Sequence, residues 1–191
     1  VRDFSDVIIG GDSEILEDSA ERENEVDALR LLLERQVGQI LESASIEDSL
    51  GTSRWEASEL CKLVRTLERM GDHSFALCDL ANSYKVPSTI SMTSLPFSVI
   101  PIWQMSIKLL ISNLRKRKFS EIHSAKSQLI SAQQDLLQYE EELRSSDIDL
   151  QDALFMDRVS ESLRRICAYS INMGEILMNI QTHRDSIQVY S

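Results

Sequence analysis

Long segments without helix-breaking residues constrain the fold of this chain most strongly. Its 191 residues include only six glycines and three prolines, the residue types least favourable inside helices. Two segments, 13–43 and 53–84, carry apolar residues at the spacing of one helix face. The apolar stripe of the first segment is Val26, Leu29, Leu33, Val37, Ile40 and Leu41. That of the second is Leu60, Leu63, Val64, Leu67, Met70, Leu77 and either Leu80 or Ala81. No segment alternates apolar and polar residues as strands do, so the sequence predicts an all-α protein.

The predicted helices fall into two halves. Residues 87–96, rich in Ser and Thr and bounded by proline, form the clearest boundary in the chain. Residues 1–10 are predicted to be the end of a helix, which Gly10 terminates. The stretch 45–53 is predicted to be a loop. The remaining helices are predicted over 13–43, 53–84, 97–116, 120–144 and 149–184. We therefore expect six helices in two tandem three-helix bundles related by a pseudo-twofold axis, over residues 1–86 and 97–191, with the first helix truncated at residue 1.

The net charge of −11 and the pI of about 4.7 argue against direct nucleic-acid binding by this region. The only basic run is Arg115–Lys118, which suits a helix C-terminus or a docking patch for an anionic membrane or an acidic partner. The most apolar stretch, 97–114, is interrupted by Pro101, Gln104 and Lys108. It is too short and too polar for a membrane span, so it is predicted to be a buried bundle helix.

Two copies of the pattern Glu-x-x-x-Asp lie in the two long amphipathic segments of the first half. They are Glu23 with Asp27 and Glu68 with Asp72. A spacing of four residues places both carboxylates of a pair on one helix face. If the helices are neighbours, the four acids converge and need a counter-charge. The pattern therefore indicates a site for a hard cation or iron, whereas its simpler interpretation is a solvated acidic face.

Gly71 lies inside the second acidic pattern. A glycine in the interior of a helix is costly, so it suggests the close approach of a neighbouring helix or ligand. Patterns that support catalysis are missing: the sequence has no Glu-x-x-His pair, no phosphate-binding glycine loop and no Gly-x-Ser-x-Gly elbow. We therefore expect no enzyme activity, with a carboxylate-bridged metal enzyme as the alternative.

The motifs resemble those of the PhoU family of phosphate-uptake regulators. Residues 67–73 read Leu-Glu-Arg-Met-Gly-Asp-His, and the family's phrase is Leu-Glu-Arg-Ile-Gly-Asp-His. Residues 23–27 fit the family's Glu-x-Glu-Val-Asp. The resemblance implies paired three-helix bundles and a metal site, for iron or another divalent cation. Carried over residue by residue, its ligands are Glu23, Asp27, Glu68 and Asp72.

The second half departs from the family's motif. Residues 163–177 can be laid on 67–81, which places Arg164 at the Glu position and Ala168 at the Asp position. On the preceding helix, Asp135 is a plausible counterpart, but Ser131 occupies the other acidic position. A second metal cluster is therefore not expected. Arg164 and its neighbour Arg165 are expected to supply an internal positive charge or to pack on the first half.

The resemblance implies a non-catalytic regulator of phosphate uptake and phosphate-response signalling. Its implied partners are the ATPase of a phosphate ABC transporter, a sensor histidine kinase, or both. The implied location is the cytoplasm, with attachment to the inner face of the membrane as one option, and a homo-oligomer is compatible with it. Two alternatives remain. One is an accessory subunit of a low-affinity phosphate transporter. The other is the regulatory part of a transcription factor, because some archaeal relatives carry an AbrB-like DNA-binding domain before their PhoU region.

Overall fold

The computed structural model describes residues 1–87 and 90–190, with side chains described up to residue 186. Within these ranges the chain forms seven α-helices, one short 3-10 helix and no strand, which confirms the all-α prediction. The helices are α1 (Arg2–Ile8), α2 (Ser19–Glu42), α3 (Ala44–Leu50), α4 (Arg54–Ser83), α5 (Val99–Lys116), α6 (Phe119–Arg144) and α7 (Leu150–Tyr190). Part of the predicted linker, residues 88 and 89, lies outside the described residues, and the division into two domains stays a prediction.

Two predicted boundaries in the first half are wrong. The helix expected over 13–43 is divided into a 3-10 helix, Ser13–Leu16, and α2. Asp12 starts the short element by accepting a hydrogen bond from the Glu14 backbone N–H at 3.0 Å. The predicted loop at 45–53 contains helix α3, which Gly51 ends in a left-handed conformation, φ +60°. Gly10, with φ +96°, ends the first helical segment as predicted.

Helix α4 lies between α2 on one side and α7 on the other, and α1 also packs on it. Both neighbours are antiparallel to α4, because contacts near one end of α4 are made by the opposite end of its neighbour. Glu56 near the start of α4 pairs with Arg184 near the end of α7, whereas Tyr84 just after α4 accepts a hydrogen bond from Arg158. Helices α5 and α6 pack together and against α7. This order places the acidic pattern of α4 directly opposite α2.

The buried residues of the two halves belong to one continuous core. At its centre, the Trp103 indole N–H of α5 donates to Ser170 Oγ of α7 at 2.9 Å. The same Oγ lies 3.0 Å from Met70 Sδ of α4 and 2.8 Å from the Ile166 carbonyl oxygen. Buried polar groups are stabilising only when they are paired, and this network joins three helices. Helix α5 is therefore a bundle helix, as predicted, and none of the described helices has the length and hydropathy needed to cross a membrane.

The apolar stripe of α2 is buried less than expected. Only Ile40 is fully buried, whereas Val26, Leu29, Leu33 and Leu41 are exposed. The physical reason is that α2 packs mainly on α4, so one flank of its stripe has no helix against it within the described residues. On α4, Leu63, Met70, Leu77 and Leu80 lie in the core as predicted, whereas Leu67 is exposed.

Two glycines in helix interiors have opposite surroundings. A Cβ on Gly71 would lie 3.8 Å from Val26 Cγ1 and 3.9 Å from Glu23 Oε2, which is ordinary van der Waals contact. The neighbouring helix α2 therefore does not need the space left by Gly71, whereas the predicted alternative, the close approach of a ligand, stays a prediction. A Cβ on Gly174 of α7 would lie 2.6 Å from Lys126 Cγ of α6, so here the missing side chain does make room for a neighbour.

Alanine substitutions at these two glycines should therefore change stability in opposite directions. Gly71→Ala is expected to raise the free energy of unfolding by about 0.5–1 kcal/mol, because alanine is the better helix former. Gly174→Ala is expected to lower it by about 1–3 kcal/mol through overpacking. Urea unfolding followed by circular dichroism measures both, and shifts of the same sign would contradict this assignment.

Candidate functional site: the α2–α4 acidic seam

The structure brings the four predicted acids to one helix interface, which we call the α2–α4 acidic seam: Glu23, Asp27, Glu68 and Asp72. The antiparallel packing of α2 on α4 sets the carboxyl of Glu23 against that of Asp72, with a hydrogen bond between them. One turn further along α2, Arg30 connects Asp27 to Glu68. The sequence argument therefore identified four side chains that do share one surface.

Two arginines lie among these acids and supply positive charge. Arg30 Nη2 is 3.6 Å from Asp27 Oδ1, and Arg30 Nε is 3.4 Å from Glu68 Oε1. Arg69 of α4 donates from Nη1 to Asp72 Oδ2 at 3.2 Å, and its Nε lies 3.7 Å from Glu68 Oε2. The Arg30 Nε itself is buried and makes no well-oriented hydrogen bond. Three of the four carboxylates are thus neutralised by side chains of the chain itself.

The seam continues toward the start of α4 through Glu34. Arg65 Nε donates to Glu34 Oε1 at 2.7 Å, and Arg30 Nη1 reaches the same oxygen at 3.4 Å. The hydrogen bond from Arg65 lowers the pKa of Glu34. Because this pair is exposed, it contributes specificity to the α2–α4 packing more than stability.

Glu23, the fourth acid, has a raised pKa and holds a proton below about pH 7. Partial burial raises its pKa most, and the hydrogen bond to Asp72 adds to this effect. Repulsion from the charges of Asp72, Asp27 and Glu68 raises the pKa further, to about 7. A protonated Glu23 donates its O–H to Asp72, so the two carboxyls share one negative charge.

As the side chains are placed, the seam does not form a metal cage. Within the described parts of the chain, no three Asp, Glu, His or Cys side chains converge as ligands of one ion would. A cation would have to displace the Glu23 proton and move both Arg30 and Arg69 away from the carboxylates. His73 is directed elsewhere, because its ring stacks on Tyr169 of α7 with the ring centroids 5.9 Å apart.

Metal binding by Glu23, Asp27, Glu68 and Asp72 stays a prediction. If these acids bind metal, the purified wild-type protein should contain iron or another divalent ion, and Asp27→Ala/Asp72→Ala should lose that ion. Elemental analysis of both proteins measures the content directly. Equal metal content would remove these acids from any such site.

The raised pKa of Glu23 predicts a pH-dependent stability. The folded state holds a proton up to about pH 7, whereas the unfolded chain releases it near pH 4.5. This contribution to folding is therefore complete below pH 4.5 and is lost as the pH rises through 7. Glu23→Gln keeps a hydrogen-bond donor toward Asp72 without titrating. We expect it to be more stable than wild type at pH 8 by about 1 kcal/mol, a value reduced for solvent screening.

Thermal and urea unfolding at pH 5 and pH 8 test this expectation. Glu25→Gln is the matched control, because Glu25 is exposed on the same helix and should show no such difference. If the stability of Glu23→Gln relative to wild type is the same at both pH values, Glu23 does not hold the proton assigned to it.

A cavity of about 160 Å³ lies next to the seam, between α1, the 3-10 helix, α2 and α4. Glu23 and Gly71 form part of its wall, and the remainder is largely apolar, including Leu16, Phe75 and Cys78. Burial raises the pKa of the Cys78 thiol, so this cysteine is a neutral core residue rather than a nucleophile.

The corresponding place in the second half has a different charge pattern. Arg164, which occupies the motif's Glu position, donates from Nε to Glu140 Oε1 of α6 at 2.9 Å. The prediction of an internal positive charge is therefore confirmed for Arg164, whereas Arg165 is half exposed. On α6, Asp135 is exposed beside the buried Ala132 and Leu136. Its correspondence to an acid of the first half stays a prediction.

Sequence reasoning missed Glu140 and the role of Arg69. Glu140 is buried between α6 and α7, and its place in the buried 129–132–136–140 series was the available signal. Arg69 lies inside the acidic motif, and its position three residues before Asp72 was enough to suggest an ion pair on one helix face.

Comparison with known proteins gives one family match, which covers the first half of the chain. Residues 1–81 match the family model described as the PhoU domain. No curated protein is similar enough to the chain to match it. The matched range includes α1, α2, α3 and nearly all of α4, and with them the complete acidic seam.

Proposed function

We propose that the chain is a non-catalytic regulator of phosphate uptake that acts by binding other proteins, because its residues 1–81 match the PhoU domain model. PhoU domains are characteristic of phosphate-transport regulators. The observation that carries the proposal is the family match over both acidic helices. The ion pairs and shared proton of the seam support it, because they make the α2–α4 pair a fixed scaffold.

We propose the ATPase of a phosphate ABC transporter and a phosphate-responsive sensor kinase as the partners. A surface on α2 suits such a contact. Leu29, Leu32 and Leu33, which we call the α2 leucine surface, are exposed on one side of the helix. Contiguous exposed apolar side chains are typical of protein-interaction sites, and aliphatic anchors on one helix face suit packing against another helix.

The proposed action is inhibitory. Binding when phosphate is plentiful would reduce transport by the ATPase and phosphate-response signalling by the kinase. The net charge of −11 disfavours binding of free phosphate, so in this proposal the phosphate signal reaches the chain through its partner. Both partners expose regulated domains to the cytoplasm, which is the location we propose for this chain.

A direct binding measurement tests the proposal. The purified chain is titrated against the ATPase subunit and against the kinase's cytoplasmic part, both from the same organism. We expect at least one to bind, and we expect Leu29→Glu/Leu32→Glu to weaken that binding at least tenfold, because charges would enter an apolar contact. Ile130→Glu/Leu137→Glu on α6 is the matched control, since these residues are similarly exposed.

The possible outcomes separate the two parts of the proposal. If neither protein binds the wild-type chain, the proposed partners are wrong. If binding occurs and the α2 and α6 double variants are affected equally, the partner is supported but the α2 leucine surface is not its contact.

A further inference from the structure

The charges of this chain are segregated along its sequence. All 31 Asp and Glu residues lie outside residues 80–120. That range nevertheless carries six cations: Lys85, Lys108, Arg115, Lys116, Arg117 and Lys118. A protein with net charge −11 therefore contains one region without any carboxylate. Helix α5 and the turn after it form about half of this region and carry five of its six cations.

The turn between α5 and α6 is a fixed structure rather than a loose tail. Arg117 adopts a left-handed conformation with φ +55°, which ends α5 after Lys116. Asn113, fully buried, accepts a hydrogen bond from the Lys118 backbone N–H at 2.8 Å and donates to Glu121 at 3.0 Å. Lys118 also pairs with Glu121 at 3.2 Å. The turn thus has a defined backbone conformation, which places Arg115, Lys116 and Arg117 at the end of α5.

Three of these cations form no ion pair within the described ranges, although the charge of Lys116 acts on Glu121. Within the described ranges, no carboxylate lies within ion-pair distance of Arg115, Lys116 or Arg117. Arg115 and Lys116 are exposed. Lys118 differs because it pairs with Glu121. The attractive potential of this turn is therefore directed toward solvent.

Large apolar side chains are exposed among these cations. Met105 is 70% exposed, and Ile111 and Phe119 are each 50% exposed. Met105 and Ile111 lie on α5, whereas Phe119 is the first residue of α6. Together with Arg115, Lys116 and Arg117, these exposed side chains form what we call the α5 basic face. Exposed apolar side chains close to Lys and Arg are typical of segments that lie in a membrane interface.

We propose that the α5 basic face docks on the surface of an anionic phospholipid bilayer. Arg115, Lys116 and Arg117 would approach the lipid phosphates, and Met105, Ile111 and Phe119 would enter the boundary between headgroups and acyl chains. The exposed hydrocarbon favours this occupant over an acidic protein, because cations alone would satisfy an acidic peptide. This inference stands apart from the proposed protein partners and uses a different face from the α2 leucine surface.

Vesicle co-sedimentation tests the proposal on the full chain. The anionic vesicles contain phosphatidylcholine with about 40% phosphatidylglycerol. Vesicles of pure phosphatidylcholine are the control without net charge. We expect binding to the anionic vesicles only, and its loss as salt is raised, because screening weakens the attraction. Arg115→Gln/Lys116→Gln should reduce partition about ten- to thirtyfold, since each interfacial cation contributes substantially.

Arg35→Gln/Arg144→Gln is the matched control. It removes the same net charge from two exposed arginines that form no ion pair within the described residues, and it should keep wild-type binding. Phe119→Ser, which leaves the charge unchanged, should weaken binding separately. Circular dichroism of each variant verifies its folding. Absence of binding to anionic vesicles, or equal loss in both double variants, would overturn the proposal. Binding of the chain to an acidic polypeptide, without binding to anionic vesicles, would also overturn the proposal.

Discussion

Arg164→Ala is expected to lower the free energy of unfolding by about 3–5 kcal/mol, the typical cost of leaving a buried charge without its partner. Glu140 is only 4% exposed, and Arg164 Nε lies 2.9 Å and 3.2 Å from its two oxygens. The remaining contact, a hydrogen bond from Ser160 Oγ at 3.1 Å, cannot neutralise a carboxylate. Chemical denaturation of the wild-type and variant proteins measures the loss.

The adjacent arginine provides the control. Arg165 is half exposed and lies 3.8 Å from Glu161, so Arg165→Ala should cost less than about 1 kcal/mol. Replacing both partners, Glu140→Leu/Arg164→Leu, should recover most of the stability lost in Arg164→Ala, because no buried charge remains. If the single and double variants are equally unstable, the effect comes from packing and not from the ion pair.

Leu77→Ala is expected to destabilise the protein by about 2–5 kcal/mol through the cavity it leaves. Leu77 is 0% exposed on α4, and it belongs to the core that both halves share. Because that core is continuous, we expect the loss to appear as one cooperative shift of the whole unfolding transition.

Leu67→Ala tests the same helix at a position outside the core. Leu67 is 37% exposed, so its truncation should cost less than about 1 kcal/mol. Denaturation curves from circular dichroism and from tryptophan fluorescence should coincide for both variants. Two separate transitions in Leu77→Ala would contradict a core shared by the two halves.

The sequence was sufficient for the helices because their signals are local. Apolar spacing and helix-breaking glycines lie within one segment, and the structure places Leu63, Met70 and Leu77 of α4 in the core as predicted. The short helix α3 was missed because seven residues give too little periodicity to distinguish a helix from a loop. The exposure of Leu29 and Leu33 was missed because it depends on which neighbour α2 has.

For the acidic seam as well, the sequence predicted which residues share a surface but not which charges balance them. The spacing of Glu23, Asp27, Glu68 and Asp72 predicted a shared surface, and the antiparallel packing of α2 on α4 provides it. The balancing charges depend on distances between helices, which the sequence does not contain. Arg30 approaches Glu68 at 3.4 Å only because the two helices meet in this register. The hydrogen bond between Glu23 and Asp72 follows from the same register.

Phosphate uptake in cells tests the central claim most directly. The measurement compares the uptake of radiolabelled phosphate at high external phosphate in three strains of the source organism. One strain lacks the chain, the second carries the wild-type chain, and the third carries Leu29→Glu/Leu32→Glu. We expect the wild-type chain to reduce phosphate uptake relative to the strain that lacks it. The variant should reduce uptake less than wild type, or not at all. Equal uptake with and without the wild-type chain would contradict a role in regulating phosphate transport.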